Sequence, residues 1–189
     1  MTLLAWLLLL AAAPASRETP AAREQARACL AEQSDAAVQT CRGALEMGLR
    51  AERAAVLEGV LADRLAADER WEEAAAALEE WCRLAPADPE PRRRLADVLL
   101  FGLGRADEAV ARLEQATALG PPDASSFGAL GVARAAAGRY AEAVEAFDTA
   151  ARLDPAFFEL RPTAQAIAEA ARRREAWPAL PAKSLTVPE

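Results

Sequence analysis

Apolar residues in this chain return at helical spacing, and the runs they form are broken by short stretches holding glycine or proline. That spacing marks helices with one buried face. No segment alternates apolar and polar residues as a half-buried strand would, and isoleucine is nearly absent. The pattern predicts an all-α chain with helices over 18–33, 35–48, 51–67, 70–84, 89–102, 106–119, 123–137, 140–153 and 162–175, each end placed to within a few residues. Hydrophobic residues make up 53% of the chain but only 5% are aromatic, so alanine and leucine must supply the core. Both are strong helix formers, which reinforces the all-helical expectation.

The breaks are in phase. An Ala-x-x-x-(Phe/Leu) pair precedes a proline three times: Ala74, Leu78 and Pro86; Ala109, Leu113 and Pro121; Ala143, Phe147 and Pro155. The prolines stand 35 and then 34 residues apart. Upstream in each unit a leucine is followed by a small residue, at Leu61-Ala62, Leu95-Ala96 and Leu130-Gly131. An alanine-rich bundle without repeats would not need its prolines in phase. In these registers residues 55–156 resemble the tetratricopeptide repeat, a helix-turn-helix unit of about 34 residues. The third unit carries the family pattern most fully, at Phe127, Leu130, Gly131, Ala143, Phe147 and Pro155, and departs from it at Arg134, where an aromatic is usual. The second has Arg92 at a place common for a large aromatic, and one extra residue in "LLFGLG" before its turn. The first has Glu58 at the aromatic place and Trp81 where Ala116 and Ala150 stand in the others. The resemblance implies a right-handed superhelical solenoid of helical hairpins, with three repeats over 51–156, each covering the face its neighbour leaves open.

Helix packing accounts for these residue types. Two antiparallel helices approach closely only where small residues face each other, as Gly131 and Ala143 would, with Phe147 filling the adjacent hole. Gly138 is placed to take the left-handed conformation that closes a first helix. Tyr140 then occupies the turn, as Trp71 does in the first unit, and Pro155 stops the second helix. Asp88 before Pro89, and Asp123 before the helix carrying Phe127, are expected N-caps.

Both ends differ from the repeats. Leu3 to Ala13 is an uncharged apolar run of eleven residues, too short for a bilayer span of about 20 residues, and Ala13-Pro14-Ala15 follows it as a small-x-small site. Residues 1–15 are therefore expected to be a signal peptide with cleavage before Ser16, although no basic residue precedes the run; the alternative is a first buried helix. Residues 16–50 are expected to form a degenerate N-terminal hairpin, with Ala37, Cys41 and Ala44 on the second-helix pattern. Residues 157–176 are expected to form a C-terminal capping helix, with Pro162 in its first turn and Leu160, Ile167 and Ala171 covering the last hairpin. Arg172, Arg173 and Arg174 would sit at its C-terminus, where the helix dipole favours cations. Residues 177–189 are a Pro-rich tail expected to be disordered, or to serve as a short ligand for another protein.

Charge and chemistry narrow function mainly by exclusion. The net charge of −7 argues against nucleic acid, and the single lysine, Lys183, against a polybasic membrane patch. With no histidine there is no Ser-His-Asp triad and no imidazole metal site, and no Gly-rich phosphate loop or metal-loop spacing is present. No catalytic residue, metal or cofactor is predicted. Cys29 and Cys41 lie on the two helices of the first hairpin at similar distances from its turn, a candidate disulfide if the chain is exported; otherwise they are two reduced, buried thiols. Cys82 would be left over, buried at a repeat junction.

The family resemblance further implies that first helices line a concave groove. Its expected lining is Gly59, Asp63 and Ala66; then Arg93, Asp97 and Leu100 or Phe101; then Gly128, Val132 and Ala135. Arg93 and Asp97, four apart, are expected to pair, and the lining is either a partner site or a solvated face. The run Arg92 to Arg94 near a helix start hints at an acidic partner, unless Asp88 and Glu90 answer it. A subset of the resembled family clamps a C-terminal carboxylate with Lys and Asn side chains; that mode is not expected here, because the chain has no asparagine and its lysine lies in the tail. The expectation is an exported protein–protein interaction module or scaffold, periplasmic or extracellular in a bacterial-type envelope, that binds a protein or peptide and does not insert in the membrane once its leader is cleaved. An accessory subunit or carboxylate-based hydrolase, and a structural repeat self-associating through Phe157, Phe158 and the final helix, are the alternatives.

Overall fold

The computed structural model describes residues 18–32 and 36–174, and every regular element among them is helical. In order these are α1 (Pro20–Ala31), α2 (Ala37–Glu46), α3 (Ala51–Ala67), α4 (Trp71–Leu84), α5 (Glu90–Asp97) continued by a π-helical turn (Val98–Gly102), α6 (Ala106–Leu119), α7 (Ala124–Ala136), α8 (Tyr140–Leu153) and α9 (Pro162–Arg172). Consecutive helices pair as hairpins, each hairpin rests on the next, and α9 closes on α7 and α8. The expected leader and the Pro-rich tail lie outside the described residues.

The three repeats turn by one device. At Gly138 φ is +75°, and the Arg139 N–H donates back to the Arg134 carbonyl at 2.8 Å. The first repeat places Glu69 there at φ +59°, with the Arg70 N–H donating to the Leu65 carbonyl at 2.8 Å. Glycine adopts this conformation freely, whereas a side chain costs about 1 kcal/mol or more. In the second repeat Gly104 has φ +67°, but the closing bond runs from the Arg105 N–H to the Leu99 carbonyl, 2.7 Å and one residue longer. The extra residue of "LLFGLG" is taken up by the π turn, where the Leu103 N–H reaches the Val98 carbonyl five residues back at 3.1 Å. The insertion is thus absorbed inside the helix, and α6 starts in register.

Close helix contacts are made by rings lying on glycines. A Cβ on Gly131 would come within 2.9 Å of the Phe147 ring, one on Gly59 within 2.7 Å of Trp81, one on Gly102 within 2.5 Å of Trp71, and one on Gly128 within 2.2 Å of Phe157. The α5–α6 hairpin has no ring at this place and packs Leu95 and Ala96 with Ala109 and Leu113, all buried. This resolves the departures of the first repeat. Glu58 gives up the aromatic on α3, Trp81 brings a ring from α4 instead, and Gly59 makes room for it. Leu61, Ala74, Leu78, Leu130, Ala143 and Ala150 are buried with them, while Pro86, Pro121 and Pro155 stand exposed just beyond the second helices.

Helix starts follow the expected chemistry with one shift. The Ser126 N–H donates to Asp123 Oδ1 at 2.8 Å, capping α7. Asp88 Oδ1 accepts from the Glu90 N–H at 2.9 Å, so α5 begins after Pro89 rather than on it. Thr19, which the sequence reading did not single out, caps α1 by accepting from the Ala22 N–H at 3.0 Å.

The N-terminal hairpin is tied down several ways. Cys29 and Cys41 form a disulfide with their Cα atoms 4.7 Å apart, and neither is exposed. Arg64 of α3 donates to the Cys29 carbonyl at 3.1 Å, Arg42 of α2 bonds Glu73 of α4, and Arg53 bonds Glu18 at 2.7 Å. At the other end Ile167 and Ala171 are buried, but Leu160 is 74% exposed, contrary to expectation. It precedes Pro162 in the bend before α9 and so does not share that helix's buried face. Phe157 and Phe158 do the covering, with ring centroids 5.2 Å apart and Phe158 6.1 Å from Phe147. Phe157 is 1% exposed, which removes it as a self-association contact.

Two stability measurements follow. In urea titrations Glu69→Gly should stabilise the fold by about 0.5–1 kcal/mol and Gly138→Ala should destabilise it by about 1 kcal/mol. Cys41→Ser should cost about 3 kcal/mol under oxidising conditions and little when the wild type is reduced, because the link closes a short loop.

Candidate partner-binding face

The first helices of the three repeats stand side by side and are joined by their charged side chains. Arg94 of α5 bonds both oxygens of Asp63 on α3, at 2.9 and 3.0 Å, and Glu90 at 3.2 Å, while its guanidinium lies 5.6 Å from the Trp81 ring centroid. Arg93 bonds Glu90, donates to the Ser126 hydroxyl on α7 at 3.3 Å and lies 3.9 Å from Asp123. The face carries Val56, Asp63, Arg93, Asp97 and Phe101; Val56, Asp63 and Asp97 are exposed, and Arg93 and Phe101 are half-buried.

The structure corrects the proposed lining at both ends. Gly128, Val132 and Ala135 are all buried. Phe157 covers Gly128, and α9 packs along α7 as a further first helix would, closing the third repeat's share of the face. Gly59 is buried under Trp81, and Leu100 is buried within the π turn. The expected Arg93–Asp97 pair does not form, because Arg93 turns to Glu90, three residues back, and across to α7. The arginine run is answered internally: Arg92 donates to the Asp88 carbonyl at 3.0 Å, and Arg93 and Arg94 are held as described. Cys82 is half-buried rather than fully buried, and burial pushes its thiol up against the opposing pull of Arg92 and Arg112.

Two carboxyl groups stand out electrostatically. Asp97 is pushed up to about 6, first by desolvation and then by Glu90, with Arg93 and Arg94 pulling the other way. It is nevertheless open to solvent along its side chain. Glu58, half-buried between α3 and α4, is pushed up to about 7 by burial and then by Glu80. Sequence spacing had assigned Asp97 a partner and had seen Glu58 only as a missing aromatic.

The opposite edge is crossed by ion pairs between successive helices. Arg105, before α6, reaches Glu72 of α4 at 3.6 Å, and Arg139, before α8, reaches Asp107 of α6 at 2.6 Å. Arg112 bonds Glu79 at 3.2 Å. Glu73 is held down to about 2 by its hydrogen bonds to Arg70 and then Arg42. A shallow, open depression on α8, lined by Glu145, Asp148, Thr149, Ala151 and Arg152, is crossed by an Arg172–Asp148 pair at 2.9 Å. Among the described residues no group of three His, Cys, Asp or Glu side chains converges as a metal would require, and no helix is long and apolar enough to cross a membrane.

Comparison with known proteins places this architecture. Residues 124–157 match the family model described as "Tetratricopeptide repeat", so α7, α8 and the bend that follows are such a repeat. The whole fold is a solenoid of the same type. It superposes on "MamA RS-1 ArsTM double mutant" with a TM-score of 0.61 at 20% identity, covering 85% of this chain and 94% of that one. It superposes on "MamA 41-end from Desulfovibrio magneticus RS-1" with a TM-score of 0.59 at 20% identity, covering 85% and 93%. No curated protein matches the sequence. The matched repeat supports a scaffold for protein–protein interaction.

The two raised carboxyl groups set a pH dependence. Each is easier to protonate in the fold than in the unfolded chain, so its contribution is full below the ordinary carboxylate range and is lost as pH climbs through about 6 for Asp97 and about 7 for Glu58. Glu73 acts oppositely, losing its contribution only as pH falls from the ordinary range towards about 2. Thermal melts should therefore show Tm falling from pH 5 to pH 8, and Glu58→Gln should remove most of the loss around pH 7.

Proposed function

We propose that this chain is an exported interaction module that holds a protein or peptide partner against the α3–α5 face. The observation that carries this is the contrast between the two sides of the array. The outer edge is laced by ion pairs between successive helices, whereas the inner face leaves an exposed valine, a half-buried phenylalanine and an unpaired carboxylate in the first two repeats. The third repeat's share is covered by Phe157 and α9, so the accessible site is shorter than the array. Export is supported by the apolar run ending at Ala13-Pro14-Ala15 and by a buried disulfide, which an oxidising envelope favours.

Site-specific photo-crosslinking in the native host tests the partner face. A photoreactive residue at Phe101 or Val56 should give adducts with one partner species, and the same residue at Glu145 should give none. Adducts from Glu145 alone would place the interaction on the outer edge. N-terminal sequencing of the recovered chain tests export, with Ser16 as the expected first residue and an intact Met1 as the contrary result.

A further inference from the structure

We propose that Asp97 is the anchor for a basic side chain, lysine or arginine, of a partner segment lying along the α3–α5 face. The inference rests on the interaction-module function proposed above and gives the partner a chemistry.

The charges on this face do not balance. Asp63, Glu90, Asp97 and Asp123 are four carboxylates served by two guanidiniums, Arg93 and Arg94. Arg94 is committed to Asp63 and Glu90, with Trp81 beneath it, and Arg93 to Glu90, Ser126 and Asp123. Asp123 has a second role, since it also caps α7. Asp97 is left with no hydrogen bond or ion pair among the described residues, although it is exposed and lies one helical turn beyond Arg93. Burial of its inner side pushes its carboxyl up, while the residue as a whole stays exposed. A cation brought there would form a charge-assisted hydrogen bond with a carboxylate that has nothing else to bond. An acidic partner, which the arginine run suggests when the sequence is read alone, would find both guanidiniums occupied and a net negative face. Phe101, one turn further on and half-buried, offers an apolar contact beside the anchor. The partner segment should therefore place a basic residue next to an apolar one.

The test is selection from a displayed random dodecapeptide library against the purified protein, followed by polarisation measurements on the enriched peptides. Enriched peptides should share a lysine or arginine beside an apolar residue. Replacing that residue by norleucine, or Asp97→Asn in the protein, should weaken binding at least about tenfold. Asp97→Asn removes an unpaired carboxylate, so its Tm at pH 8 should equal or exceed that of the wild type, which separates lost binding from lost folding. Phe101→Glu should also abolish binding. Peptides that bind the wild type and Asp97→Asn equally, yet lose binding on Phe101→Glu, would overturn the anchor and leave the face as the interaction site. Peptides indifferent to both substitutions, or no enrichment, would overturn the anchor together with the function on which it rests.

Discussion

Aromatic rings seated on glycines set the geometry of this solenoid. Helices built mainly of alanine and leucine have shallow surfaces that could slide past one another, and a protruding ring fits only where the facing helix lacks a Cβ. Trp81 on Gly59 fixes the first hairpin, Trp71 on Gly102 joins it to the second, Phe147 on Gly131 fixes the third, and Phe157 on Gly128 brings in the C-terminal cap. Glycine inside a helix costs about 1 kcal/mol relative to alanine, so at each position the ring contact must offset that loss. With only 5% aromatic residues in the chain, a large share of the rings is committed to these four places.

The proposed partner face is what this packing leaves uncovered. Stacking sets α3, α5 and α7 side by side, close enough for Arg94 to reach Asp63 and for Arg93 to reach Ser126. It also brings the starts of α4, α6 and α8 into line, where Arg105 and Arg139 neutralise the acids of the preceding hairpin. One side of the array is therefore laced together by ion pairs. The other has a carboxylate without a partner at its middle and a cap over its far end. The same cap that stabilises the third repeat removes that repeat from the accessible face, burying Gly128, Val132 and Ala135.

Most of the architecture was legible in the chain because repeat spacing is a one-dimensional signal. The phase of Pro86, Pro121 and Pro155, the small residues beside Leu61, Leu95 and Leu130, and the turn at Gly138 all follow from local periodicity and backbone sterics. What stayed hidden depends on contacts between distant residues. Trp81 at a small-residue position looked like a departure, since nothing local connects it to Gly59, 22 positions earlier. The 35-residue spacing revealed an extra residue but not that a π turn would absorb it. The covered lining of the third repeat could not be read from that repeat, because the covering residues belong to the segment after it. Arg93 was assigned to Asp97 by spacing on one helix, whereas its partners lie on the preceding turn and on α7.

A double-mutant cycle at Gly59 and Trp81, read by equilibrium urea unfolding, tests the ring-on-glycine constraint most directly. If the ring is the reason for the glycine, Gly59→Ala should cost about 1–3 kcal/mol in the wild type through overpacking. In a Trp81→Leu background the same substitution should be neutral or stabilising, because alanine is the better helix former. Equal effects in the two backgrounds would show that Gly59 and Trp81 act independently and would contradict the account.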